Sequence, residues 1–282
     1  MTSEHSMPSD SSSSKPWNWC GTEPSSKINE ADQAPIPGTG GMATPGGKTR
    51  YPCVTQSGLQ ETIGEPPSGE QSGDSEGRDQ IVLGVGPLIP RWTASTSNPT
   101  KLLYFAIRDG FPSDSDFQHA VTAFQQAADE WNAIGFGVNI SRTTNRALAN
   151  FVVRYFKPAV DEGVLASAFF PNDVDDVLVY HKTLVEPEWR AILKNTFLHE
   201  VGHIIGLRHE FAIEPDSAGH GPERTPAKQF GSKNPSSVMS YEDVNNIQDT
   251  DRHDVQEFYK LPNNSEIDGV KIRDYVPKPL RQ

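Results

Sequence analysis

The chain has 282 residues, a net charge of −12 and only two cysteines, Cys20 and Cys53. Its Lys and Arg residues form no cluster, which argues against nucleic acid and anionic membranes as partners. No stretch is apolar enough to predict a membrane span, and both cysteines lie in the first 80 residues, so the rest of the chain has no disulfide framework.

Residues 1–80 are rich in Ser, Gly, Pro and acidic side chains. This composition buries too little apolar surface to offset the entropy lost on ordering, so we predict a disordered extension or a loosely held pro-segment. The first 21 residues contain no apolar run, and they predict no secretory signal peptide. We expect the folded domain over residues 81–262, which is ample for one hydrophobic core, and a polar tail over residues 263–282.

Short apolar runs within the expected domain predict buried strands. They occupy residues 102–107, 138–140, 151–156 and 177–180. Between the first two runs, apolar residues recur at helical spacing from Phe117 to Trp131, and Gly135 ends that helix. Ser115 and Gln118 fit a capping box at its start.

Residues 187–205 predict one long helix that carries a candidate metal site, with Pro187 in the first turn, where its missing N–H costs little. His199 and His203 are four residues apart, so both imidazoles project from one face and can reach one ion. Glu200 follows His199 and points to a neighbouring face. His209 can supply a third ligand if the helix stops at Gly206, which tolerates the positive φ that such a stop requires.

A bare His-Glu-x-x-His pattern also occurs in ordinary amphipathic helices. The third His and the Gly at fixed offsets favour a zinc site, because catalytic zinc keeps three protein ligands and one open position. Residues 211–236 are irregular in pattern, and Ser-Val-Met-Ser-Tyr follows at residues 237–241. A last helix is predicted through Tyr259, capped by Thr250 or Asp251.

The motif at residues 199–210 and the methionine at 239 resemble those of the metzincin zinc endopeptidases. Tyr241, two residues after Met239, resembles the astacin and serralysin branches, and Glu210 after the third His resembles astacins in particular. The resemblance implies an α+β fold: a small twisted mixed sheet, a long active-site helix and an irregular C-terminal subdomain ending in a helix. It covers roughly residues 91–261 and includes some likeness to the matrix metalloproteinase catalytic domain.

The family resemblance implies roles for the matching residues. One zinc ion is held by His199, His203 and His209, and Glu200 is the general base. Tyr241 is an additional oxyanion donor or a core tyrosine, while Met239 is an apolar floor beneath the ligands. Residues 163–171 resemble the edge strand above the cleft, where Ala166 and Ala168 leave room for an extended substrate to add as another strand.

Activation raises further hypotheses from the same resemblance. In astacins the glutamate matching Glu210 meets an N-terminal ammonium released by propeptide removal, which would here require cleavage between Arg78 and Trp92. Cys20 and Asp74 are candidates for a group in the extension that blocks the metal, and Cys53 is a third candidate without a matching motif.

The sequence therefore predicts a monomeric zinc metalloendopeptidase acting on proteins or peptides. The alternatives are a catalytically silent zinc-binding domain and an interaction protein that works through its extension. Residues 172–176 are acidic without a calcium-loop spacing, so calcium binding stays open. The compartment also stays open, since the family resemblance suggests the extracellular space but no signal peptide is predicted.

Overall fold

The structure, a computed structural model, describes residues 81–160, 163–231, 233–241 and 246–280. The predicted extension over residues 1–80, with Cys20, Cys53 and Asp74, lies outside this part of the chain. None of the helices within it is long and apolar enough to cross a lipid bilayer.

A five-stranded mixed sheet positions the helices of this α+β protein. It consists, in spatial order, of Val138–Arg142 (β4), Thr100–Ala106 (β3), Phe151–Phe156 (β5), Val177–Tyr180 (β7) and Ala166–Ser167 (β6). β3 runs parallel to β4 and β5, and β5 runs parallel to β7, whereas β6 is antiparallel to β7 at the edge. All four predicted strands are confirmed, with ends within two residues of the expected positions.

The first long helix, Asp114–Asn132 (α1), follows β3 and packs on it, with the Tyr104 and Phe124 rings 4.8 Å apart. Its predicted apolar face is buried. The predicted capping box at Ser115 is wrong by two residues, because Ser113 is the N-cap and its hydroxyl accepts a hydrogen bond from the Asp116 amide. Two capping patterns overlap here, Ser113 with Asp116 and Ser115 with Gln118. The backbone is extended at Ser113, as an N-cap requires, so the helix starts from the first pattern.

The predicted helix over residues 187–205 is interrupted. A short helix, His181–Val185 (α2), precedes it, and the chain then forms Pro187–Ala191 (α3) and Leu193–Ile204 (α4) with a break at Ile192. α3 buries no residue, whereas nearly all of α4 is buried. The break therefore separates a surface turn from the core helix. α4 packs on α1, where the Trp131 indole donates to the Leu198 carbonyl at 2.9 Å.

Two smaller sheets accompany the main sheet, and one of them extends the domain beyond its predicted end. Ile81–Leu83 (β1) pairs with Lys228–Phe230 (β8), and Leu88–Trp92 (β2) pairs in parallel with Val270–Tyr275 (β10). Glu266–Ile267 (β9) pairs with β10, so the expected polar tail over residues 263–282 is instead partly folded.

One buried face holds this C-terminal hairpin in place. Ile272 is fully buried, and Arg91 forms an ion pair with Asp274 at 2.7 Å. The other side chains of β10 are partly or fully exposed, which explains why the segment looks polar in sequence.

The last helix, Asp249–Lys260 (α5), buries Val255 and Phe258 as predicted. Its N-cap is Gln248 rather than Thr250 or Asp251, and Asp251 occupies the third position of the capping box. The carboxylate of Asp251 also accepts a hydrogen bond from the Ser237 hydroxyl at 2.7 Å and one from the Val238 amide at 3.1 Å. Asp251 thereby ties α5 to residues 237–239.

Candidate metal centre

Three histidines predicted as metal ligands come together in one buried cluster. His199 and His203 lie one turn apart on α4, and His209 follows the end of the helix. One ligand atom from each lies within 4.8 Å of the others. The residues are between 0% and 3% exposed, so the protein interior surrounds the cluster.

The turn at Gly206 brings His209 back to the helix, as the sequence predicts. Gly206 has a φ of +98°, and the Leu207 amide donates to the Gly202 carbonyl at 2.9 Å. A Cβ at residue 206 would overlap the Pro90 carbonyl oxygen, so only glycine fits this approach. The Arg208 amide then donates to the Val82 carbonyl at 2.8 Å, which fixes the chain just before His209.

Hydrogen bonds fix the tautomer of each histidine. Nδ1 of His199 lies 2.9 Å from the Val238 carbonyl oxygen, and Nδ1 of His203 lies 2.8 Å from the Leu207 carbonyl oxygen. Because a carbonyl oxygen can only accept, both Nδ1 atoms carry the proton and both Nε2 atoms keep a lone pair. Nδ1 of His209 likewise faces the Glu223 carboxylate, at 2.5 Å.

The resulting cluster of lone pairs fits a cation. Nε2 of His199 and Nε2 of His209 lie only 3.1 Å apart, although neither carries a proton in the tautomer that its partner imposes. Two acceptors this close repel each other unless a positive ion lies between or beside them. The three imidazoles could therefore hold a metal ion, with the opposite ring nitrogens oriented by the protein.

Burial keeps all three imidazoles neutral, which is the form that binds metal. Burial and the neighbouring His209 lower the pKa of His199 to about 3. Burial and the two other histidines hold the pKa of His203 well below its usual value. Burial also lowers the pKa of His209, although the Glu223 carboxylate acts in the opposite direction.

Glu223 and Arg208 support His209, and the sequence analysis did not predict them. Besides accepting from His209, the Glu223 carboxylate forms an ion pair with Arg208, which is fully buried. Arg208 also donates to the Gly84 carbonyl at 2.6 Å and the Thr225 carbonyl at 3.0 Å. Burial raises the pKa of Glu223, but the hydrogen bonds and charges of His209 and Arg208 outweigh it and hold the pKa below its usual value. The ionised carboxylate thus orients His209.

Residues 237–239 lie beneath the histidines, where the sequence predicts an apolar floor. Met239 is buried, and a Cβ on Gly202 would overlap its sulfur, so the methionine packs directly against α4 between the two helical histidines. The Val238 carbonyl orients His199, and Asp251 holds the Val238 amide. No spacing in the sequence indicated that Asp251, expected only as a possible helix cap, would hold the Val238 amide.

Tyr241 reaches the same cluster. Its hydroxyl lies 3.1 Å from Nε2 of His209, and its side chain is buried. The rings of His199, His209, Phe211 and His220 surround it at centroid distances of 4.8 to 5.5 Å. The structure therefore places the tyrosine hydroxyl beside a histidine nitrogen that could bind a metal. His220, which has no ligand spacing in the sequence, also belongs to this aromatic cluster.

The two glutamates of the motif are both buried. Glu200 lies in α4 directly after His199 and is 1% exposed. Glu210 accepts a hydrogen bond from the Asn234 amide at 2.5 Å, and burial raises its pKa to about 7. No described residue donates to its other carboxylate oxygen. The hypothesis that an N-terminal ammonium meets Glu210 stays a prediction. Two strands, β1 and β2, lie in the region between Arg78 and Trp92 where the required cleavage was expected.

The predicted substrate strand lies at the edge of the main sheet. Ala166–Ser167 (β6) is the terminal strand and packs against α4. Ala166 is buried and Ala168 is half-buried. Its position suits the expected role, and its contact with substrate stays a prediction.

Comparison with protein-family models finds no match to this chain, and comparison with curated proteins also finds none. The functional argument therefore depends on the residues of the metal centre. Within the described ranges, the three histidines are the one group of His, Cys, Asp and Glu side chains close enough to hold a metal.

Proposed function

We propose that this protein is a zinc-dependent metalloendopeptidase of metzincin type, closest to the astacins. The observation that carries the proposal is the convergence of three neutral imidazoles whose Nδ1 atoms are each held by a protein acceptor. The Gly206 turn and the packing of Met239 support the family assignment, since the metzincin pattern includes both. The place of Tyr241 supports the astacin and serralysin branches within it.

His199, His203 and His209 would hold the ion. Zinc is the best match, because imidazole ligands suit it and three of them leave a position for a reactant. When bound, zinc acts as a Lewis acid that makes a water molecule more acidic and polarises a carbonyl group. Glu223 and the Val238 and Leu207 carbonyls keep the three rings turned toward that ion.

Glu200 serves as the general base. Its carboxylate takes a proton from the attacking water and passes it to the leaving amine, so the proton count of hydrolysis balances. α4 fixes Glu200 one residue after the first ligand, and its burial excludes competing bulk water. Tyr241 donates a hydrogen bond to the oxygen on which negative charge develops, since its hydroxyl already lies beside the ligand nitrogens.

The edge strand β6 provides a place for an extended peptide. Strands at a sheet edge have backbone groups that can pair with an added strand, and the small side chains of Ala166 and Ala168 keep this edge low. This mode of binding depends on the substrate backbone, which favours cleavage within a chain over removal of terminal residues.

Metal removal tests the proposal in the full chain. The protein is treated with a chelator, dialysed, and assayed on an unstructured protein before and after one equivalent of zinc is restored. We expect new internal termini, detected by mass spectrometry, only in the zinc-loaded sample. A preparation that holds one zinc per chain and produces no new termini would instead identify a zinc-binding protein without peptidase activity.

A further inference from the structure

The segment after the third histidine folds back toward the metal centre. The Glu223 amide donates to the Ala212 carbonyl at 3.0 Å, which brings the two ends of residues 212–223 together. Gly221 has a φ of +80°, and a Cβ there would overlap the Phe211 carbonyl oxygen. Because glycine allows this close approach, His220 lies next to Phe211 rather than out in solvent.

Asp216 fixes His220 through hydrogen bonds to its backbone and ring. Its carboxylate accepts hydrogen bonds from the Ala218 and His220 amides at 2.9 Å and from Nδ1 of His220 at 2.6 Å. Burial raises the pKa of Asp216, but the hydrogen bonds from His220 outweigh it and lower the pKa. Asp216 is therefore ionised, and it fixes both the backbone and the ring of His220.

The held imidazole forms one wall around Tyr241. The His220 and Tyr241 rings form a T-shaped pair, with a centroid distance of 5.3 Å and an interplanar angle of 79°. On another side, Phe211 lies 4.8 Å from Tyr241 and stacks on His209 at 4.6 Å. His209 and Phe211 are buried, whereas the His220 side chain is 28% exposed, so His220 is the most exposed of these three neighbours of Tyr241.

We propose that Asp216 and His220 act as a pair of positioning residues that hold the Tyr241 hydroxyl at the metal centre. The proposal rests on the role given to Tyr241 in the proposed function. An edge-to-face contact favours the ring orientation that makes it by about three- to tenfold over the alternatives. Removing His220 takes away one such contact of the Tyr241 ring, while those with His209 and Phe211 remain. The pair therefore raises the fraction of molecules in which Tyr241 can donate to substrate.

Chemical accessibility of Tyr241 tests this without any catalytic assay. Tyrosine nitration is mapped by mass spectrometry in the full chain, with Tyr259 as the internal control because both tyrosines are 7% exposed. We expect His220→Ala and the milder Asp216→Asn to nitrate Tyr241 several times faster than wild type, with Tyr259 unchanged. His253→Ala, which changes an exposed histidine on α5, should alter neither rate. Equal Tyr241 rates in wild type and His220→Ala would overturn the proposal.

A double-mutant cycle on peptide cleavage gives the second readout. We expect His220→Ala to lower kcat about three- to tenfold with little change in KM, and to have no further effect in Tyr241→Phe. Independent, multiplying losses would show that His220 does not act through Tyr241. If neither the wild type nor any variant cleaves a peptide, the proposed function is wrong. The nitration rates then still decide whether Asp216 and His220 position Tyr241.

Discussion

Replacing Glu223 with Gln should weaken zinc binding although Glu223 is not a ligand. The carboxylate accepts from two sides at once: one oxygen faces Nδ1 of His209, and the other faces the guanidinium of the fully buried Arg208. Glutamine has only one acceptor oxygen. Its NH₂ group must therefore face a donor on one side or the other, and the substitution leaves an unpaired hydrogen-bond donor.

The size of the effect follows from the position of Glu223 behind the third ligand. Losing the acceptor that orients a ligating histidine costs about 10- to 100-fold in metal affinity. That corresponds to about 1.4–2.7 kcal/mol of binding free energy. Arg208 keeps its hydrogen bonds to the Gly84 and Thr225 carbonyls in the variant, so we expect the fold to survive with a lowered Tm.

Competition with a zinc chelator of known affinity measures the Kd directly. Glu214→Gln is the matched control, because Glu214 lies in the same irregular segment, is 70% exposed and meets only Lys233, at 3.3 Å, among the described ion pairs. We expect the control to bind zinc like wild type. A Glu223→Gln Kd within twofold of wild type, in a protein that unfolds cooperatively, would refute the assignment of Glu223 to the metal centre.

Three further predictions concern the turn, the C-terminal hairpin and the tyrosine. Gly206→Ala should lower the free energy of unfolding in urea by more than about 2 kcal/mol, because backbone strain adds to the overlap with Pro90. The control Gly269→Ala, with a φ of +76° and no atom within 4 Å of the added Cβ, should lower it by about 1–2 kcal/mol through the strain alone. Equal losses in the two variants would contradict this interpretation. Deleting residues 263–282 should lower the Tm by several degrees, since it removes the partner strand of β2 and the Asp274 partner of buried Arg91. An unchanged Tm would show that the segment does not stabilise the domain. Tyr241→Phe should lower kcat by about tenfold or more with a smaller change in KM in peptide hydrolysis, and an unchanged kcat would make Tyr241 a core residue.

The histidine cluster could be predicted from the sequence because its geometry is local. A four-residue spacing on a helix places His199 and His203 together, and Gly206 permits the turn that returns His209 within a few residues. Four strands of the main sheet were equally readable, since each is a short segment of mostly apolar residues, interrupted only by Asn139 and Arg154.

The supporting residues could not be predicted because they depend on distant parts of the chain. Glu223 meets His209 only after an irregular segment folds back, and no periodicity indicates that path. The Asp216–His220 pair depends on the same fold. By contrast, β10 had a usable signal, because Val270 and Ile272 alternate with charged residues as in a strand with one buried face.

Peptide cleavage by zinc-loaded wild type beside Glu200→Ala tests the central claim most directly. Both full-length proteins are loaded with one zinc, verified by metal analysis, and incubated with a diverse peptide library. We predict that the wild type cuts internal bonds, and that Glu200→Ala retains its zinc but loses nearly all turnover because it lacks the general base. Cleavage by Glu200→Ala within tenfold of wild type would contradict the role of Glu200 as general base. If neither protein cleaves any peptide, the proposed peptidase activity is contradicted.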